Sequence, residues 1–162
     1  MMEVMIEALP ATFEEFISMP QMDLTIPQNT VAMFLVALDA FVKNKQLGKA
    51  MIDQLKGPVP LSAYDESFLR DRFRDKPYLP MAYFNGATPQ NNYTPAMPLT
   101  LRVFDDVRKD TQEGFVRLFL ETTGADAKRP ITLRRKDDRW YLWEYSSILT
   151  GIRLPAKDNP WG

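Results

Sequence analysis

The hydrophobic period of this chain changes once, near its middle, and that change limits the folds open to it. Up to about residue 76 the apolar side chains recur every three or four residues; from Leu99 onward they alternate. The first spacing puts apolar groups along one face of a helix, and the second puts them on one face of a strand. Helices first and strands afterwards predict an α+β domain, because parallel α/β folds require the two patterns to interleave.

Four helical segments are expected. Residues 11–19 bring Phe13, Phe16 and Ile17 together and stop at Pro20. Pro27 suits a first helical position, and a helix is expected from there to about Lys43. Val31, Phe34, Leu35, Leu38, Phe41 and Val42 form its stripe, while Ala32, Met33, Val36, Ala37 and Ala40 fill most of the remainder. With only Asp39 and Lys43 charged, it should be buried nearly all round. A third segment, 46–56, turns Leu47, Ala50, Met51 and Leu55 to one side and ends at Gly57-Pro58. A fourth opens at Ser62, with Asp65 placed for a capping box; Tyr64, Phe68, Leu69 and Phe73 are expected inward, and Asp71, Arg72, Arg74 and Asp75 outward.

The second half repeats the alternating pattern four times, around Leu99-Leu101-Val103, Val116-Leu118-Leu120, Ile131-Leu133 and Trp140-Leu142. Short polar connections at 106–114, 124–129 and 136–139 predict an antiparallel meander, with Asp138 in a left-handed conformation at the last turn. The expected architecture is a single domain, 1–162, in which N-terminal helices pack on an antiparallel sheet of four or five strands. Its helical part covers 11–76, a proline- and asparagine-rich loop 77–98, the sheet 99–145, and a tail 155–162 that frays unless Trp161 docks.

Composition narrows the chemistry. The chain has no histidine and no cysteine, which excludes a Ser-His-Asp triad, a thiolate nucleophile and a zinc site of nitrogen and sulfur ligands. Carboxylates, lysines, tyrosines, hydroxyls or an oxygen-ligated cation remain. No cofactor is expected, and binding is favoured over catalysis. A formal net charge of −1 provides no field for a polyanion, so neither nucleic acid nor a membrane surface is an expected partner. The longest apolar run, 31–38, is far short of the ~20 residues that span a bilayer. The opening residues lack a basic, then apolar, export signal, and cytoplasm is the expected compartment.

Four features could carry chemistry, and of these the aromatic-arginine sheet face and the loop 85–98 stand above background. If the leucines of the alternating segments face the helices, the opposite sheet face carries Arg102, Phe104, Arg117, Phe119, Glu121, Arg134, Tyr141, Trp143 and Tyr145. An exposed face is normally polar. This one suits a pocket for an aromatic or anionic ligand or a patch closed by a second copy, unless the N-terminal residues or the loop cover it. The hairpin from Lys128 to Arg139 interleaves basic and aromatic residues as RNA-binding sheets do, but Asp126, Asp137, Asp138 and Glu144 lie among them and favour a solvated edge. Asp65-Glu66, Asp105-Asp106 and Asp137-Asp138 are explained by caps and turns. In the loop, Asn91, Asn92 and Tyr93 either satisfy turns or contact a partner.

Residues 85–95, with Arg129-Pro130-Ile131-Thr132-Leu133-Arg134 and Arg139-Trp140-Tyr141-Leu142-Trp143-Glu144-Tyr145, resemble an uncharacterised bacterial domain-of-unknown-function family over about 27–155. The resemblance brings no catalytic residue or ligand with it. The last of these segments is also similar to the closing strands of the nuclear-transport-factor-two-like cone fold, which implies helices packed on a curved sheet around a pocket. Enzymes of that fold usually rely on an Asp/His arrangement, for which this chain has no histidine. The expected function is therefore a non-enzymatic binding or assembly module, acting on itself or a protein partner through the aromatic-arginine face and the Asn/Pro loop. The alternative is a small-molecule-binding cone, with Arg102, Arg117 or Arg134 holding an anion and a carboxylate or tyrosine doing any chemistry.

Overall fold

A computed structural model describes residues 1–109 and 111–161. Among these residues the chain forms β1 (Met2–Ile6), α1 (Phe13–Ile17), α2 (Pro27–Lys43), α3 (Lys45–Lys56), α4 (Ala63–Phe73), β2 (Leu99–Asp105), β3 (Phe115–Leu120), β4 (Arg129–Lys136) and β5 (Arg139–Glu144). The strands make one curled antiparallel sheet in the order β1-β2-β3-β4-β5. The fold is α+β, as the change of period predicts. No helix among the described residues is long and apolar enough to cross a membrane.

The helix α2 begins with Pro27 at its first position and is buried from Thr30 through Asp39 and again at Phe41. Its one buried charge, Asp39, accepts a 2.8 Å bond from Lys43 Nζ one turn on; without that partner a buried carboxylate would be strongly unfavourable. Asn44 separates α2 from α3 by a single residue. Its amide donates to Ala40 O, closing α2, while its side chain accepts from Leu47 N and opens α3. So tight a connection forces the two helices together, and Gly48 sits where they meet. A Cβ there would lie 2.1 Å from Cα of Phe41.

The capping box of α4 forms as expected, with Ser62 and Asp65 each accepting from the other's amide. Two helical assignments need correction. Tyr64 is 79% exposed, because it lies off the Leu69–Phe73 stripe. Ala50 is exposed, and Gly48 and Ile52 join the expected Met51 and Leu55 in the buried positions on α3.

On the sheet, Leu99, Leu101, Val103, Leu118, Leu120, Ile131, Leu133 and Leu142 are buried in a core shared with α2. β1 runs along β2 from Met2 opposite Val103 to Ile6 opposite Leu99. The N-terminus therefore lengthens the sheet instead of covering its second face, because its backbone groups pair with the β2 edge. At the opposite edge, Trp140 N donates to Leu24 O, and Thr30 Oγ1 donates to Trp140 O, both at 2.8 Å. These bonds tie β5 to the start of α2 and satisfy groups that an open edge would leave bare. The segment 77–98 holds a 3-10 turn, Leu79–Tyr83, and an isolated bridge from Phe84 to Leu101. At the β4–β5 turn it is Asp137, with φ 58°, and not Asp138, that is left-handed.

Replacing Gly48 with Ala should force the α2–α3 crossing apart. An overpacked contact of this kind costs about 2 kcal/mol and lowers Tm by roughly 6 °C in a chain of this size. Thermal denaturation followed by circular dichroism checks it; an unchanged Tm would show that the crossing has slack.

Candidate functional site

Helix α3 ends at Lys56, and Gly57 turns the chain out of it with φ 75° and ψ −130°, a conformation that side chains disfavour. Glycine is needed there for a second reason. A Cβ would lie 2.9 Å from Cγ of Tyr141, so the Tyr141 ring rests on the bare backbone of Gly57. This contact brings the start of the α3–α4 connection against the β4–β5 hairpin, and between them lies a cleft of about 610 Å3. Lys56, Pro58 and Val59 line one side; Arg134, Arg135 and Lys136 of β4 and Tyr141, Leu142 and Trp143 of β5 line the other.

Four cations border this cleft, and no carboxylate is among its lining residues. The Arg134 guanidinium stands 4.7 Å from the Trp143 ring centroid and 5.4 Å from that of Phe115, and those two rings meet nearly edge to face at 5.6 Å. Arg135 lies 5.7 Å from the ring of its cross-strand partner Trp140. Ring faces hold a guanidinium in place without accepting its in-plane N–H groups, which remain directed toward solvent or a ligand. Among the described residues no carboxylate pairs with Lys56, Arg134 or Arg135, while Lys136 has only the exposed Asp137 at 3.8 Å. The cleft is a cationic recess with aromatic walls.

Of the residues singled out from the sequence, Arg134, Tyr141 and Trp143 come together in this cleft. Others on the same sheet face are engaged elsewhere. Arg102 pairs with Glu121 at 2.5 Å. Phe104 lies under Arg102 and Lys128 and opposite Phe119. Arg117 holds Asp106 through Nε at 2.9 Å and a terminal nitrogen at 2.7 Å. Burial alone would push the Asp106 carboxyl up, but the Arg108 amide and the Arg117 guanidinium outweigh it and hold the group below its ordinary range.

Tyr145 is a correction. Strict alternation put it beside Tyr141 and Trp143, whereas it is buried with its ring 4.8 Å from that of Phe34 on α2. The register of β4 against β5 shifts between Thr132 and Leu133, so the stretch 143–144 holds one residue too many for strict pairing. A bulge of this kind reverses the alternation beyond it. Trp143 and Glu144 are both exposed, and Tyr145 turns inward. Its burial raises the hydroxyl pKa well above the ordinary tyrosine value.

The loop residues bond to the chain's own backbone; Tyr93 is buried, while Asn91 and Asn92 are exposed. Asn91 Oδ1 accepts from the amides of Thr88 and Thr94, and its Nδ2 donates to Gly86 O. Asn92 Oδ1 accepts from Lys157 N at 3.0 Å. Tyr93 stacks on Tyr78 at 5.2 Å and donates its hydroxyl to Arg153 O at 2.7 Å. Tyr83 donates to Ile148 O, and Arg129 donates to the carbonyls of Ser147, Thr150 and Gly151. Together these groups clasp the C-terminal segment; Trp161, beyond it, is 94% exposed.

Sequence reasoning missed Lys56, Pro58 and Val59. Gly57-Pro58 reads correctly as a helix stop, but a stop signal carries no information about which strand the chain then meets. Arg129 was assigned to the basic hairpin, and nothing in its spacing marks it as a clasp for carbonyls some twenty residues away.

The chain matches the family model described as "Domain of unknown function (DUF6935)" over residues 8–156, and it belongs to that family. This agrees with the expectation of an uncharacterised domain family. No curated protein and no solved structure matches the chain.

Burial pushes the Tyr93 hydroxyl up to about 12 from 10.0. A raised pKa of this sense contributes stability that is complete below pH 10 and fades as pH climbs through 12. Tyr93→Phe should therefore cost about 1 kcal/mol at neutral pH through loss of the bond to Arg153 O. It should also make the alkaline loss of stability shallower, though Tyr83 and Tyr145, raised likewise, keep part of it. Urea denaturation of both proteins at a series of pH values checks both effects.

Proposed function

We propose that this member of the family is a binding module that takes an anionic ligand in the cleft between residues 56–59 and the β4–β5 hairpin. One observation carries the reading: Lys56, Arg134, Arg135 and Lys136 border one recess with no carboxylate in its lining. Like charges gathered this way repel one another, and a bound anion relieves the repulsion. The volume of about 610 Å3 lies within the roughly 300–1,000 Å3 typical of small-molecule sites. The reading is narrower than the whole aromatic-arginine face, because Arg102 and Arg117 already have carboxylate partners. Binding is favoured over catalysis. Tyr83 and Tyr93 donate to backbone carbonyls, Tyr145 packs on Phe34, and Asp106 is engaged by Arg117.

A second reading, self-association, has its own support. The strip around Phe104 and Phe119 carries the Arg102–Glu121 pair with side chains 41% and 44% exposed. A patch bearing both signs of charge can complement its own copy across a two-fold axis.

Calorimetric titration of the full chain with inorganic pyrophosphate tests the first reading. Binding is expected at low salt and should weaken as salt screens the charges. The double variant Arg135→Glu, Lys136→Glu should lose it at least tenfold, while Arg102→Glu should leave it unchanged. No heat of binding at low salt would sink the anion reading. Light scattering across a concentration series decides the second, which requires a mass above that of one chain.

A further inference from the structure

The cationic cleft adjoins a second recess of opposite character. This one, about 230 Å3, shares Lys56 and Trp143 with the first and is bounded also by Tyr64, Asp65, Glu144 and Ser146. Asp65 Oδ2 accepts from Ser62 N, and Glu144 Oε1 accepts from both the amide and the hydroxyl of Ser146. The other oxygen of each carboxylate accepts no hydrogen bond among the described residues. Both acids lie near enough to Tyr145 to add to the rise that burial imposes on its hydroxyl. Lys56 Nζ, at the junction, is 5.9 Å from the Tyr145 ring centroid.

The combined groove therefore has three chemically distinct parts. Guanidinium and ammonium groups occupy one end, carboxylate acceptors the other, and the Trp143 indole, 53% exposed, stands between them. A ligand that uses all three parts carries a compact anion, a planar face and a set of N–H donors, in that order. Inorganic polyphosphate has only the first. A carboxylate-bearing peptide has a planar donor edge only through side chains such as Arg or Gln, and its anion carries one charge where a phosphomonoester carries close to two. A long polynucleotide meets carboxylates past either end of the cationic stretch, since Asp137, 87% exposed, and Asp138 lie at the hairpin tip.

We propose that the groove binds a free nucleotide. Its phosphate lies among Lys56, Arg134 and Lys136, its base stacks at Trp143, and an amino group on the base donates to Glu144 or Asp65. This rests on the anion-binding reading and deepens it. Stacking of a base on an exposed aromatic ring tolerates any base, so discrimination falls to the acidic recess. Adenine, cytosine and guanine each offer an exocyclic amine. Uracil offers a carbonyl where cytosine carries its amine, and two acceptors facing each other repel, which leaves its ring N–H as the one base donor.

The test is calorimetric titration of the full chain at low salt with AMP, CMP, GMP, UMP, ribose 5-phosphate and pyrophosphate. The amine-bearing nucleotides are expected to bind at least tenfold more tightly than ribose 5-phosphate, which carries the same phosphate without a base. Trp143→Ala should remove that advantage, bringing AMP to the affinity that ribose 5-phosphate shows on the same variant. Glu144→Gln, which keeps an acceptor for Ser146, should narrow the gap between AMP and UMP. If ribose 5-phosphate or pyrophosphate binds wild-type protein as tightly as AMP, the nucleotide inference fails and the anion site stands. If none of the six binds, both fail. A single-stranded oligonucleotide that binds more than tenfold tighter than AMP overturns the assignment to a free nucleotide.

Discussion

Helix α2 has almost no side that tolerates water, and the rest of the molecule is arranged to meet that requirement. A helix apolar on every face must be enclosed, and one flat neighbour cannot enclose it. The sheet curls beneath it, α3 folds back along it after a single intervening residue, and the 3-10 turn near Leu79 adds to the same core. Thr30, on α2 itself, donates to the backbone of β5, so the enclosing sheet is hydrogen-bonded to the helix it covers. The edge strand that carries Tyr141 and Trp143 is thereby positioned by the same burial that drives folding.

Much of this was legible in the sequence. The periods of three to four and of two depend only on backbone geometry, so α2, the capping box at Ser62 and the four C-terminal strands could be read directly. β1 was harder, because five residues at a terminus give too short a pattern, and their strand character comes from the open edge of β2. Tyr145 was misread for a definite reason. A bulge breaks the alternation that face assignment relies on, and no residue in 141–145 announces one.

The candidate site was legible by half. The basic and aromatic residues of the hairpin stand together in the sequence, so Arg134, Tyr141 and Trp143 could be named. Their opposite wall depends on a long-range contact, the Tyr141 ring on Gly57, which local pattern cannot supply. The Asn/Pro loop illustrates the converse error. Asparagines and tyrosines serve equally well for recognising a partner and for satisfying the chain's own backbone. Only the carbonyls of Gly86 and Arg153 and the amide of Lys157, brought close by the fold, decide between the two.

Asn44 closes one helix and opens the next, and this has a geometric corollary at the far end of α3. The twelve residues of α3 make a rod about 18 Å long at 1.5 Å per residue. It is anchored at Asn44 and Gly48, and Lys56 and Gly57 lie at its tip. A difference of about 5° in the crossing angle at Gly48 would correspond to roughly 1 Å at that tip, about 13 Å away. α3 is thus a rod fixed at both ends, at the Gly48–Phe41 contact and where Gly57 meets the Tyr141 ring, and its C-terminal end forms one jaw of the cationic cleft. The width of the opening beneath Tyr141 is therefore set by how two buried helices pack, and not by a loop.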